Sequence, residues 1–144
     1  MPKHADEATS HLIDFYETLS PQTVKTLDRV YAANASFKDP FNDVRGADEI
    51  RRVLDRMFES LTDAKFVIND SVLQGAQAFL IWDMTFRLRK LPAKLHKIHG
   101  ASHIRFDAAG QVARHRDYWD AGEEVYEKIP VLGAVIRMVR KKIG

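Results

Sequence analysis

The hydrophobic residues of this chain change their spacing once, near Thr62-Asp63, and that change limits the folds open to it. Before it, apolar side chains recur at helical intervals. Leu12, Phe15, Tyr16 and Leu19 fall at i, i+3, i+4 and i+7, and Ile50, Val53, Leu54, Met57, Phe58 and Leu61 make a wider stripe. After it they alternate. Lys65 to Gly75, Ala78 to Lys90, Lys94 to Phe106 and Gln111 to Asp120 read as strands. Turns at Gln74-Gly75-Ala76-Gln77, Leu91-Pro92-Ala93 and Asp107-Ala108-Ala109-Gly110 separate them. A run of helices followed by a run of strands indicates an α+β fold, with helices packed on one face of a curved antiparallel sheet.

The helical half has its own punctuation. Thr9 or Ser10 can cap the first helix, and Ser20-Pro21 reads as an N-cap followed by proline in the first turn. Val24, Leu27 and Tyr31 line the face of this second, short helix, which Asn34 ends. Gly46 precedes the third, with Asp48 and Glu49 in its first turn, where negative charge suits the helix dipole. On the strands the expected inward residues are Phe66, Ile68 and Val72, then Trp82, Met84, Phe86 and Leu88, then Ile98, Gly100, Ser102, Ile104 and Phe106.

With 144 residues the chain is expected to form one domain, 1–144. It contains no cysteine, which removes disulfides, thiolate nucleophiles and cysteine-ligated zinc and fits a reducing compartment. The N-terminus has acidic residues and no apolar run, so no signal peptide is expected, and no apolar stretch approaches a membrane span. A cytoplasmic protein is the expectation. A net charge of +2 does not indicate nucleic-acid binding. The glycines fall in neither a phosphate-loop nor a dinucleotide spacing. His96, His99 and His103 have mixed strand parity, so neither a metal nor another cofactor is expected.

Two places carry candidate chemistry. In Ala35-Ser36-Phe37-Lys38-Asp39-Pro40, alternation puts Asp39 on the same face as Ala35 and Phe37. Pro40 lacks an N–H and ends the strand. A carboxylate on the apolar side of a strand end is a candidate proton acceptor; alternatively it caps the Pro-Phe-Asn-Asp turn. On the last strand, Ala113, His115, Asp117 and Trp119 share a face opposite Arg114, Arg116 and Tyr118. His115 and Asp117 are two residues apart, about 7 Å between Cβ atoms, close enough for the carboxylate to orient or charge the imidazole. The other reading of that segment is a surface ladder of balanced charges.

The order helix–helix–strand–helix–meander resembles the nuclear-transport-factor-2-like superfamily. So do Tyr16 on the first helix, Ala35 to Pro40, Gly46, and Ser102-His103-Ile104-Arg105-Phe106 before Asp-Ala-Ala-Gly. The pattern is most similar to ketosteroid isomerases and SnoaL-like polyketide cyclases, and to a bacterial branch of the superfamily with the His115 to Asp120 segment. The resemblance implies a cone: a curved antiparallel sheet wrapped around three N-terminal helices, with a C-terminal helix. It implies that Asp39 is a general base and that Tyr16 donates a hydrogen bond to a developing oxyanion. Ser102 stands where the isomerase has a protonated aspartate, so the second donor here is a neutral hydroxyl. His115, Asp117 and Trp119 fall on pocket positions, and Trp82, Met84, Phe86, Phe37 and Phe58 are further candidate ligand contacts. The implied function is a cofactor-free isomerase, cyclase or dehydratase for a small carbonyl compound, or hydration with an aspartate activating water. The alternative is a non-catalytic binding module for an apolar ligand or a protein partner. A homodimer is expected.

Residues 123–144 read as a basic amphipathic helical extension starting near Pro130. Leu132, Val135, Ile136, Val139 and Ile143 form its stripe beside Arg137, Arg140, Lys141 and Lys142. Docking on the protein or a partner copy is expected for 130–143, and contact with an anionic membrane is the lesser alternative.

Overall fold

The computed structural model describes residues 5–120, 138–139 and 141–143. Helix α1 spans Ala5–Glu17, a 3-10 helix spans Thr23–Arg29, and α2 spans Ala47–Ser60. Six strands lie among the described residues: β1 (Tyr31–Lys38), β2 (Asp43–Arg45), β3 (Leu61–Gln74), β4 (Gln77–Leu88), β5 (Leu91–Phe106) and β6 (Val112–Tyr118). They form one curved, unclosed sheet in the order β2-β1-β6-β5-β4-β3. Every pairing is antiparallel except β1 with β6, which is parallel and joins the first strand of the chain to the last.

Local chemistry explains the entry into the 3-10 helix and α2. The short helix begins at Thr23 with Gln22 at its N-cap, not at Pro21, and Ser20 and Thr23 bond reciprocally across the turn before it: the Thr23 amide donates to Ser20 Oγ at 3.1 Å and the Ser20 amide donates to Thr23 Oγ1 at 2.8 Å. The helix that follows is shorter than the sequence spacing predicts. It stops at Arg29, and Tyr31 opens β1 rather than lining a helix face that runs to Asn34. Gly46, at φ 102°, holds a conformation costly for other residues, donates to Ala35 O at 2.7 Å and starts α2. The turn between β3 and β4 is at Gly75 as expected, but the next one is at Arg89-Lys90. Leu91-Pro92-Ala93 is the start of β5.

The core lies between the helices and the inner face of the sheet. Leu12, Val24, Leu27, Ile50, Ile104 and Val112 are fully buried there. Alternation holds along β4 and β5, where Trp82, Met84, Phe86, Ile98, Ser102, Ile104 and Phe106 are buried. It fails where the ladder slips. A register shift between Ile68 and Asp70 turns Val72 outward, 56% exposed, and brings Leu73 against the core. A shift between Arg87 and Leu88 likewise leaves Leu88 exposed. Gly100 is required by close approach: a Cβ there would lie 2.6 Å from the Trp82 ring.

Most of the expected C-terminal helix, including Pro130, Leu132, Val135, Ile136, Arg137 and Arg140, lies outside the described residues. Residues 138–139 and 141–143 are helical, with Met138, Val139 and Ile143 exposed. Among the described residues, no helix is long and apolar enough to cross a membrane.

Candidate active site

Strand register assembles the site on the inner face of the sheet. His115 pairs with Ile104 on one side and Phe37 on the other, and Asp117 pairs with Ser102. One step past the Lys38–Arg116 pair, the register brings Asp39 alongside Asp117. Helix α1 lays Tyr16 over this row, its ring edge-on to His115 with centroids 5.8 Å apart.

A continuous line of hydrogen bonds runs through these residues. Tyr16 Oη lies 2.6 Å from Tyr31 Oη, and Tyr31 Oη lies 2.7 Å from His115 Nδ1. His115 Nε2 lies 2.5 Å from Asp117 Oδ1. Ser102 Oγ also donates to that oxygen, at 2.5 Å, and accepts from Trp82 Nε1 at 2.9 Å. Tyr31 and His115 are 1% and 3% exposed, so the line is closed to bulk water along most of its length. Among the described residues, no hydrogen bond is recorded to Asp117 Oδ2, whose side chain keeps 17% exposure. The second oxygen therefore keeps its lone pairs without a protein donor among the described residues.

Burial, followed by the charge of Asp117, holds the Tyr16 hydroxyl well above the ordinary tyrosine range. Tyr31 is raised in the same direction, first by burial and then by its neighbour Tyr16. Both shifts favour the protonated phenols.

Asp39 has a different environment from the one its sequence position implies. Its Oδ1 accepts from the Phe41 amide at 2.8 Å, the Asn42 amide at 2.7 Å and Asn42 Nδ2 at 3.0 Å. The turn-capping alternative thus describes its geometry. Burial nonetheless raises its pKa, against those donors and with the help of the Asp117 charge.

Two cavities meet at Asp117. The inner cleft, about 20 Å³, is walled by Tyr16, Phe66, Trp82, Ser102, His115 and Asp117 among others. It has room for a water or a single oxygen-sized group. The outer cavity, about 560 Å³, is lined by Lys38, Asp39, Arg116, Asp117, Trp119 and Asp120 among others, and matches the size of small-molecule sites. Trp119 stands at its edge with its ring 5.3 Å from Phe41.

The structure thus brings together Tyr16, His115, Asp117, Ser102 and Trp82, with Asp39 and Trp119 around the outer cavity. Phe37 is buried with its ring 4.7 Å from His115 and supports the imidazole from behind. Met84 and Phe86 are core residues further along β4, and Phe58 packs against the core; none of the three lines either cavity. Tyr31 is the participant that sequence reasoning missed, because it was placed on a helix. A register shift between Tyr31 and Ser36 breaks the alternation that would tie it to Ala35 and Phe37, so no local signal marks it. Among the described residues, no group of three potential metal ligands converges.

A curved sheet wrapped over helices, with an imidazole–carboxylate pair on its inner face, defines a cone-shaped α+β pocket protein. Residues 12–115 match the model of the SnoaL-like domain, and the chain belongs to that family. Solved structures agree on the fold. A protein with a ketosteroid isomerase-like fold from Catenulispora acidiphila, in complex with trimethylamine, is 14% identical. It aligns over 83% of this chain and 89% of its own with a TM-score of 0.70. An LEH-like epoxide hydrolase from M. tuberculosis is 14% identical, over 96% of this chain and 94% of its own, with a TM-score of 0.69. A protein from Shewanella putrefaciens assigned to the SnoaL-like polyketide cyclases is 20% identical, over 83% and 91%, with a TM-score of 0.66. No curated protein matches the sequence.

Proposed function

We propose that this protein is a cofactor-free acid–base enzyme acting on a small carbonyl compound, with Asp117 as its base. The observation that carries this reading is the division of labour within one carboxylate. Oδ1 is clamped by Ser102 and His115, Oδ2 has no hydrogen-bond donor among the described residues, and the side chain lines the cavity. A base must be held still and yet keep a lone pair for the substrate, and this arrangement does both. The substrate lies in the outer cavity and projects its carbonyl oxygen into the inner cleft, which admits little more than one atom. There Tyr16 meets the oxygen on which charge develops.

In the reaction Oδ2 removes a proton from the carbon next to the carbonyl. The C–H electron pair moves to give an enolate, and the proton returns at a second carbon or serves the departure of a hydroxyl. Asp39 takes the part of the second carboxyl at the mouth. Its main lone pairs are committed to the Phe41 and Asn42 donors, so it shapes the turn and the field more than it takes substrate protons. The family match and the cyclase and hydrolase among the structural neighbours support this class of chemistry.

The test is deuterium incorporation. A panel of cyclic ketones and β-ketoesters is incubated in D2O with and without the protein, and exchange at the carbon next to the carbonyl is followed by NMR. Acceleration by the wild type that disappears in Asp117→Asn supports the reading. Exchange at the buffer rate for every compound overturns it, and leaves the cone as a binding module.

A further inference from the structure

Tyr31 has no part in the chemistry above, yet it is the only bridge between His115 and Tyr16 among the described residues. The hydrogens along the line can be assigned by elimination. The indole N–H of Trp82 can only donate, so it occupies a lone pair of Ser102 and the Ser102 hydroxyl points at Asp117 Oδ1. That oxygen is then an acceptor, and His115 Nε2 must bring its own hydrogen to the 2.5 Å contact. In a neutral imidazole Nδ1 is consequently bare. It accepts from the Tyr31 hydroxyl, and Tyr31 in turn accepts from Tyr16. In this state Tyr16 presents lone pairs to the inner cleft.

We propose that Tyr31 is a positioning residue that reverses the polarity of Tyr16 when His115 takes up a proton. With both ring nitrogens protonated, Nδ1–H donates to Tyr31, Tyr31 donates to Tyr16, and the Tyr16 hydroxyl is turned toward the cleft as a donor. The step balances without any other reactant. A hydroxyl or water in the cleft gives its proton to Tyr16 Oη, the Tyr16 hydrogen passes to Tyr31 Oη, and the Tyr31 hydrogen passes to Nδ1. The electron pair of the broken O–H bond stays on the guest oxygen, which then receives a hydrogen bond from Tyr16. The imidazolium so formed rests against Asp117. The cleft therefore takes a hydroxyl in one state and a carbonyl oxygen or alkoxide in the other, so one site serves an alcohol and the corresponding oxyanion. This deepens the acid–base reading and depends on it.

The groups that bear on His115 can be named. They are Tyr16 from α1, Tyr31 and Phe37 from β1, Asp117 from its own strand, and Ser102 from β5 acting through Asp117. Asp39, beyond the end of β1, adds its charge at Tyr16. Arg114 and Arg116 stand on the other face of β6 by alternation. The raised pKa of both phenols keeps the line from stalling as a tyrosinate.

The experiment uses the whole protein with ¹³Cζ-labelled tyrosine and ¹⁵N-labelled histidine, followed by NMR at a series of pH values over which the fold is kept. The expected result is a shift of the Tyr16 resonance with the same midpoint as His115 Nδ1, lost in Tyr31→Phe while Tyr16 itself remains. A Tyr16 resonance that ignores the titration, or one that still follows it in Tyr31→Phe, overturns the proposal, as does an imidazole that never takes up the proton. Tyr16→Phe covers the case in which Tyr31→Phe does not fold: Tyr31 should then still follow His115, and an unresponsive Tyr31 overturns the proposal. Deuterium exchange without this coupling sinks the wire alone, and coupling without exchange sinks the catalytic reading alone.

Discussion

Ser102 joins two groups that would each lose a partner without it. Replacing it by alanine leaves the Trp82 N–H buried and unpaired and takes one donor from Asp117. The expected cost is about 1–3 kcal/mol in stability, read from urea unfolding of Ser102→Ala. Asp39 makes a prediction of the opposite kind. Burial raises its folded pKa above the unfolded value near 3.8, so the folded state holds its proton more tightly than the unfolded chain does. Whatever it contributes to stability is fully present below 3.8 and is lost as pH rises through the folded pKa. The stability of wild type relative to Asp39→Asn should therefore fall as the pH is raised across that window. Unfolding midpoints of the two proteins at a series of pH values check the sign.

At the level of elements, the tight fit of β4 against β5 is the feature most open to attack. Trp82 lies over Gly100, so Gly100→Ala must push the ring away and with it the donor that orients Ser102. A loss of about 1–3 kcal/mol is expected from such overpacking, together with a change in tryptophan fluorescence. Leu12, fully buried between α1 and the sheet, should cost about 2–5 kcal/mol when cut to alanine and should loosen Tyr16 with it. The same elements show what was legible beforehand. The faces of β4 and β5 followed from alternation alone, including Gly100 and Ser102 on the inner side. The pairing of His115 with Asp117 followed from a two-residue spacing. Val72 and Leu88 defied it because register shifts add residues to one strand, and composition does not announce a shift. Tyr31 was hidden by a helix that stopped five residues before the Asn34 limit set for it. The parallel pairing of β1 with β6 joins segments about 80 residues apart, a contact that no local pattern encodes.

For the whole molecule, the cone serves to bring a first-strand acid and a last-strand acid to one cavity while burying everything behind them. The superfamily resemblance pointed to Asp39 as the base, whereas the hydrogen-bond pattern favours Asp117. A comparison of Asp117→Asn with Asp39→Asn in the deuterium-exchange assay decides between them. Asparagine at 117 can still accept from Ser102 and His115 through its oxygen, so the change of chemistry falls on the second atom, Oδ2 in the wild type. The account predicts a loss of about 100-fold or more for Asp117→Asn and under about 10-fold for Asp39→Asn. Full activity in Asp117→Asn beside an inactive Asp39→Asn would contradict it.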